Sequence, residues 1–354
     1  MVMPRLSLKH TKTVQAMQIH TPTQSSDAGI FLWMTYHAMK KLGVDTGAIF
    51  ASVSLPDEPP DLTARRANNT QAGFWQAAER ISGDPDIGLH TGALMQPYRG
   101  QVIEYLFLSS PTFGVGLTRA LRYHRLWTDA MQLTLTIEGD SARISGLEHP
   151  VRHYLECAIA VFLQFFSQFS EGNFHPAQIW LTHRTGASPE EYQRVFGCET
   201  RLGQTEGAIV FAASLLDRPS PAAEPQLFAV HDAIAAQHLQ ALESRDLIAN
   251  IQRELGNLLE LGEVTIEHLA TRLHRTPRSL RTELAHLDTS FNDVVAQYRE
   301  RLARRLLART QQSLDQIIYL TGYSEPAAFT RAFKRWTGET PTDYRKRKQT
   351  GTER

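Results

Sequence analysis

Two segments toward the end of the chain repeat each other, and that repeat leaves little freedom in how the region folds. In the first copy Leu269 and Ala270 lie on a helix introduced by Thr265, a good N-cap with Glu267 close behind it. A short turn, His274-Arg275-Thr276-Pro277, leads to a second helix with Leu280, Leu284 and Leu287 on one face. In the second copy Ile317 and Ile318 take the places of Leu269 and Ala270, and the turn at 321–326 is one residue longer. Its second helix carries Phe329, Phe333 and Trp336, each 49 residues after its counterpart. Each copy therefore reads as two short helices joined by a tight turn, the form that presents its second helix to a DNA major groove.

The outward faces suit that use. With the leucines buried, Arg278, Arg281 and Thr282 point away from the core, and Ser279 is a further candidate contact. With Phe329, Phe333 and Trp336 buried, Ala327, Ala328, Thr330, Arg331 and Lys334 are exposed, behind Ser324 and Glu325 in the turn. Arginine can bond guanine edges bidentately, whereas lysine and hydroxyl side chains mostly grip phosphate. Between the copies Phe291, Val294, Val295, Tyr298, Leu302 and Leu306 recur at helical spacing. That linker helix would space the two readers for successive major grooves, roughly 34 Å apart. The run Tyr344-Arg345-Lys346-Arg347-Lys348 adds phosphate attraction, with Arg345 and Lys346 as candidates.

Charge agrees with this division. The net charge of the 354 residues is zero, but residues 262–354 hold 17 Lys/Arg against 11 Asp/Glu, and the rest 20 against 26. A basic module on an acidic body points to a polyanion partner for the module alone. The length calls for at least two domains. Two cysteines, Cys157 and Cys198, are too few for a disulfide framework or a four-cysteine zinc site, which fits a reducing compartment. Residues 1–27 form a polar segment without the apolar stretch of a signal peptide, and no run is long enough to span a bilayer. A cytoplasmic protein without a membrane association is expected.

Residues 217–225 hold three prolines, so a boundary is expected there. Before it, helices are predicted at 30–42 and 72–81, mainly helix over 100–127, and a long buried helix at 151–169. Strict alternation at 131–137, the turn Gly139-Asp140 and a second strand at 142–147 predict a hairpin, with further strands at 178–182 and 208–211. The expectation is an α+β sensor domain over 28–220. Amphipathic helices at 227–242 and 246–261 then form a connection over 221–261, with a dimer surface as one role. An all-α domain with two helix-turn-helix units joined by a linker helix follows at 262–348.

Sharper chemistry finds little support. His149, His153 and Cys157 are spaced by four residues and, with Glu156, could line a metal site. The plainer reading places His149 before the helix and packs His153 at its first turn. Nothing identifies a base for a catalytic Cys157 or Cys198, and Gly114-Val115-Gly116 lacks the third glycine of a phosphate loop. Phe162, Phe165, Phe166 and Phe169 read as core. No catalytic residue, metal or cofactor is expected, and no effector-binding residue is identifiable.

The stretch from 265 to 347 resembles the DNA-binding domain of the AraC/XylS family of bacterial regulators. The second unit carries the resemblance best, through Gly322-Tyr323-Ser324-Glu325-Pro326-Ala327-Ala328-Phe329-Thr330-Arg331-Ala332-Phe333-Lys334-Arg335-Trp336-Thr337-Gly338 and then Thr340-Pro341-Thr342-Asp343-Tyr344-Arg345. The first matches at Thr276-Pro277-Arg278-Ser279-Leu280-Arg281 and Thr289-Ser290-Phe291. The N-terminal region resembles the arabinose-binding-type sensor of one branch of that family. The matching pieces are Gly83-Asp84-Pro85-Asp86-Ile87-Gly88-Leu89, Leu108-Ser109-Ser110-Pro111-Thr112, Phe196-Gly197-Cys198 and Leu215-Leu216-Asp217-Arg218-Pro219.

Three positions depart from the family pattern. Ile318 replaces the usual alanine and should push the second unit's helices apart or force them to repack. Glu283 stands where a basic residue is common, where it would repel phosphate or accept a bond from a cytosine amino group. Asp288 replaces a helix-ending glycine. The resemblance implies a dimeric transcription regulator that binds double-stranded promoter DNA, contacts RNA polymerase and answers to a small-molecule effector. Two other readings stay open: an enzyme fused to a DNA-binding module, and a sensor that binds only a partner protein.

Overall fold

The alternating segment at 131–137 enters a sheet from Thr134 onward, with 131–133 outside the strand, in a computed structural model that describes residues 12–15, 25–62, 64–96, 100–220, 223–262 and 264–349. By internal contacts the chain forms two units, Met1–Gln240 and Ala241–Arg354. In the first, the strands are β1 (Lys12–Gln15), β2 (Ser26–Ala28), β3 (Arg65–Ala67), β4 (Thr134–Glu138), β5 (Ser141–Ser145), β6 (Pro176–Trp180), β7 (Glu199–Arg201) and β8 (Ala208–Ala212). Six of them form a sheet in the order β1-β4-β5-β8-β6-β7, antiparallel except for the β6–β7 pair. β2 and β3 form a separate antiparallel pair in which Asp27 faces Arg66. The expected hairpin is β4–β5. The segment expected to be a polar tail supplies β1 at the sheet edge, a strand too short and too polar to show in the sequence.

The helices of this unit are α1 (Gly29–Leu42), α2 (Thr46–Ser52), α3 (Gln71–Ser82), α4 (Ile87–Leu94), α5 (Val102–Leu108), α6 (Phe113–Arg122), α7 (Arg152–Phe169) and α8 (Pro189–Phe196). α7 is buried at almost every position from His153 to Phe166, so it is the element around which the rest assembles. Phe162, Phe165 and Phe166 lie in the core, with Phe107, Phe113 and Phe174 against them. α4 approaches α7 closely through Gly88 and Gly92, one helical turn apart. A Cβ there would stand 2.3 Å from the His153 carbonyl and 2.8 Å from that of Cys157. Gly114 and Gly116 lie inside α6 rather than in a strand-to-helix loop.

The two helices expected at 227–242 and 246–261 are one, α9 (Pro225–Leu261). Residues 243–245 are Glu-Ser-Arg and contain nothing to stop a helix, while Pro225 suits a first helical position. Ala235 and Leu239 belong to the core of the first unit. Arg119 of α6, 4 % exposed, holds the start of α9. Its guanidinium donates to the carbonyls of Leu106 (2.9 Å) and Phe228 (2.7 Å) and to the Asp232 carboxylate (3.2 Å). It also lies 3.7 Å from the Phe228 ring centroid.

The second unit is helical: the end of α9, then α10 (Ile266–Arg272), α11 (Pro277–His286), α12 (Phe291–Arg309), α13 (Leu314–Leu320), α14 (Pro326–Thr337) and α15 (Pro341–Gln349). Among the described residues no helix is long and apolar enough to cross a membrane.

Glu156 is the most consequential buried charge of the first unit. Its side chain accepts a short hydrogen bond from Tyr192 and lies 3.3 Å from Arg152 Nε. Burial outweighs both partners and pushes its carboxyl from an ordinary 4.5 up to about 7. Below the lower value the group is protonated in folded and unfolded chains alike. Between the two values the unfolded chain ionises first. Stability should therefore fall by roughly 3 kcal/mol as pH rises from about 4.5 through 7, and then level off. Urea titrations across this range should show that fall in the native chain and a flatter profile in Glu156→Gln.

Candidate nucleic-acid interface

Each helix-turn-helix starts from capped helices. Thr265 accepts from the His268 amide at the start of α10, and Thr276 from the Ser279 amide at the start of α11, where Pro277 takes the first position. In the second copy Ser313 and Gln316 form a reciprocal capping box on α13, and Pro326 opens α14. The turns share a left-handed residue: His274 (φ 52°) in the first and Gly322 (φ 70°) in the second. A Cβ on Gly322 would run into a Leu259 methyl, which must shift to admit it, so the positive φ is the main demand for glycine here. Asp288, in place of a helix-ending glycine, also lies in this region at φ 50°.

Two small cores support these turns. In the first, Leu280 and Leu284 of α11 are buried with Leu269 and Ala270 of α10, and Leu287 packs at the margin. Leu247, Ile251, Leu255 and Leu258 of α9 complete it. By sequence alone that stretch reads as a connection, although its leucines and isoleucine fall at spacings of three and four. In the second core Phe329 and Phe333 of α14 are buried with Ile317 and Ile318, while Trp336 is partly buried. Ile318 is 4 % exposed, and its bulk is absorbed within this core. α12 serves both cores, Val294 and Val295 in the first and Ala303 and Leu307 in the second.

The outward residues differ in how far they are already engaged. On α11, Arg278 is exposed and its side chain has no ion pair among the described residues. Arg281 pairs with Glu267 of α10 at 3.2 Å, both exposed. The Ser279 hydroxyl donates to Glu283 at 2.7 Å, and Arg275 forms a very short ion pair with the same carboxylate. Glu283 thus faces a cation and a hydroxyl of its own unit, which offsets part of the phosphate repulsion expected of it. Thr282 donates to the Arg278 carbonyl.

On α14, Arg331 and Lys334 are exposed without an ion pair among the described residues. Ser324, Glu325 and Ala327 are exposed, Ala328 and Thr330 partly so, and Thr330 donates to the Pro326 carbonyl. The basic run at 344–348 is not a loose tail but part of α15. Tyr344 is buried there, Arg345 donates to the Gln312 carbonyl at 2.7 Å, and Arg347 pairs with Glu339 at 2.5 Å. Lys346 is exposed.

Residues considered for other chemistry separate from one another. His149 meets Asn68 (2.6 Å), His153 meets Glu79 (3.1 Å) and Cys157 lies against Met95, so no shared metal position arises from them. Burial pushes the Cys157 thiol far above the usual thiol range and that of Cys198 up to about 11. Neither is a nucleophilic thiolate at neutral pH.

Paired helix-turn-helix units behind an α+β domain define a DNA-binding transcription regulator with a sensor domain. Residues 43–220 match the family described as the arabinose-binding domain of AraC transcription regulator, and residues 269–347 match a helix-turn-helix domain. The chain belongs to this AraC family of transcription regulators. It is 27% identical to the ornithine utilization regulator of Pseudomonas aeruginosa over 311 residues, 86% of this chain and 91% of that protein. It is 26% identical to the transcriptional regulator VirS of Mycobacterium tuberculosis, over 89% and 94% of the two chains. The crystal structure of the regulator CdpR from Pseudomonas aeruginosa aligns with 89% of this chain and 98% of that one, at 18% identity and a TM-score of 0.42. The matched family and the two relatives by sequence are transcription regulators, and with them the fused-enzyme reading falls away.

The two left-handed turn residues give a paired test. His274→Gly should stabilise the unit by about 1 kcal/mol, because glycine occupies this φ without a Cβ penalty. Gly322→Ala should cost more than that, strain and the clash with Leu259 adding together. Chemical denaturation of the two variants beside the parent would settle both signs.

Proposed function

We propose that the protein binds promoter DNA as a dimer, reading base edges with α11 and α14, and that an effector held by the first unit modulates this binding or a contact with RNA polymerase. The observation that carries the DNA-reading part is the distribution of unengaged cations. Among the basic residues named for this face, Arg278, Arg331 and Lys334 stand exposed and unpaired on the two second helices, while Arg345 is tied into the fold. In this reading Arg278 and Arg331 contact bases. Ser279, Thr282, Ser324, Thr330 and Lys334 contact phosphate or base edges, and Ala327 and Ala328 leave room for the groove. Glu325 flanks the reading helix, Arg281 exchanges Glu267 for phosphate, and Arg345 and Lys346 border the backbone. A regulator of this kind acts where the chromosome is, in the cytoplasm.

Arg278→Ala and Arg331→Ala should each cost roughly 1–3 kcal/mol on the specific site and relax its sequence preference. Arg281→Ala should cost less, since an exposed ion pair already competes for it. Lys346→Ala should weaken all sequences alike and lower the salt slope by about 1. Selection of genomic fragments by the purified protein, then footprinting and titration of these variants, reads out all four. Unchanged binding in both arginine variants would remove α11 and α14 from the interface.

The dimer is supported by an apolar stripe on the part of α9 that belongs to the first unit. Leu227, Val230 and Ile234 are 47, 51 and 38 % exposed, spaced three and four residues apart, with Tyr105 of α5 at 42 %. The Tyr105 and His231 rings lie 5.3 Å apart, which makes the patch continuous. Val230→Glu should shift the protein toward monomer in sedimentation velocity while its circular dichroism stays native. An unaltered dimer would place the interface elsewhere.

A further inference from the structure

The first unit contains a cavity of about 90 Å³, room for a body of several heavy atoms. Its walls come from α1, α3, α7 and the β2–β3 pair. Phe31, Phe74, Trp75, Met95 and Ala158 make it predominantly apolar. The polar groups that line it are almost all spoken for by one another. Asp27, 2 % exposed, accepts from Thr128 and Tyr154 on one carboxyl oxygen and from Asn68 and Gln71 on the other. The amide oxygen of Gln71 accepts from Trp75 Nε1. Thr35 donates to the Phe31 carbonyl and Thr70 to that of Ala67.

Arg66 is the exception. It stands opposite Asp27 in the β2–β3 ladder and lines the cavity, yet it forms no ion pair with that carboxyl. Its Nε is buried without a hydrogen-bond partner, and the side chain as a whole is partly exposed. A guanidinium in this position is under-satisfied, and an anion is the ligand group that answers it best.

We propose that this cavity binds a small monocarboxylic acid, its apolar body between α1, α3 and α7 and its carboxylate on Arg66. The proposal rests on the reading of the first unit as the sensor. A sugar is disfavoured despite the family's descriptive name, because a polyol needs many free donors and acceptors and the lining offers few. A cationic ligand is disfavoured too: both Asp27 oxygens are capped, and Arg66 adds like charge.

Calorimetry and thermal melting on the full chain, with hexanoate, hexanamide, L-arabinose and L-ornithine as probes, test this. Hexanoate should bind and raise the Tm, and hexanamide should bind at least tenfold more weakly. Arg66→Gln should lose at least tenfold in hexanoate affinity while melting, unliganded, no lower than the parent, and Arg66→Lys should recover part of that loss. A merely structural role for Arg66 would leave the ratio of acid to amide unmoved. Equal affinity for the two probes, or full hexanoate binding by Arg66→Gln, overturns the carboxylate assignment. Arabinose or ornithine binding in place of hexanoate, abolished by Ala158→Phe, overturns the ligand class but leaves the sensor reading standing. Silence from all four probes, with DNA retention the same in Ala158→Phe and parent, overturns both.

Discussion

The sharing of α12 between two small cores is the constraint on which the DNA-binding unit depends. Neither helix-turn-helix has enough apolar surface to hold itself together, since domains of this size bury too small a fraction of their chain. Val294 and Val295 close the first core and Ala303 and Leu307 the second, so one continuous helix ties the two together. The second core gathers five aromatic rings. Tyr323, Phe329, Phe333, Trp336 and Tyr344 meet at ring separations of 5.4 to 6.4 Å, mostly edge to face. Such pairs add directional contacts to their area burial, which suits a core of so few residues. Packing on the inner faces leaves the outer faces of α11 and α14 without a structural duty.

Electrostatics divides the cations of this unit into structural and available sets. Arg304 donates to the Trp336 carbonyl and pairs with Glu300, and Arg299 stacks on Tyr323 while bonding the Gly322 carbonyl. Arg275 is occupied by Glu283. These groups fix the turns and helix ends that aim the second helices. Arg278, Arg331 and Lys334 are then left to keep their charge directed outward. The exposed Arg281–Glu267 pair is worth little in water and holds Arg281 only weakly. A purely compositional reading sees only a net positive third of the chain and cannot separate the two sets.

Much of the helical half was legible because its signals are local. The repeat, the capping threonines and serines, and the core triplets at a constant offset all act within one or two turns. What the sequence concealed was long-range. The role of Leu247, Ile251, Leu255 and Leu258 depends on which helices they meet, and their spacing alone fits a linker as well as a core. The engagement of Glu283 by Arg275 and of Arg345 by the Gln312 carbonyl likewise appears only once the chain is folded. In the sensor unit the hairpin and the strands expected near 178–182 and 208–211 are present, whereas β1, β2, β3 and β7, of three or four residues, carry too little pattern to be seen. The lining of the cavity comes from five separate stretches between Asp27 and Ala158, so no motif could announce it.

Asp27 and Arg66 make a telling contrast within that cavity. They face each other across two strands, and a direct ion pair would be the simplest way to satisfy both. Instead the carboxyl is surrounded by four neutral donors, Asn68 before α3, Gln71 of α3, Tyr154 of α7 and Thr128, which binds Ser26–Ala28 to α3 and α7 and fixes the wall. The guanidinium keeps a buried nitrogen unmatched. Leaving such a group in an apolar setting destabilises the empty protein, and natural domains tolerate that where function requires it. A ligand that supplies the missing acceptor and binds the folded state alone stabilises the sensor by RT ln(1 + L/Kd), L being its free concentration, an amount that grows with that concentration. The same imbalance that weakens the unliganded wall is thus what would make it responsive.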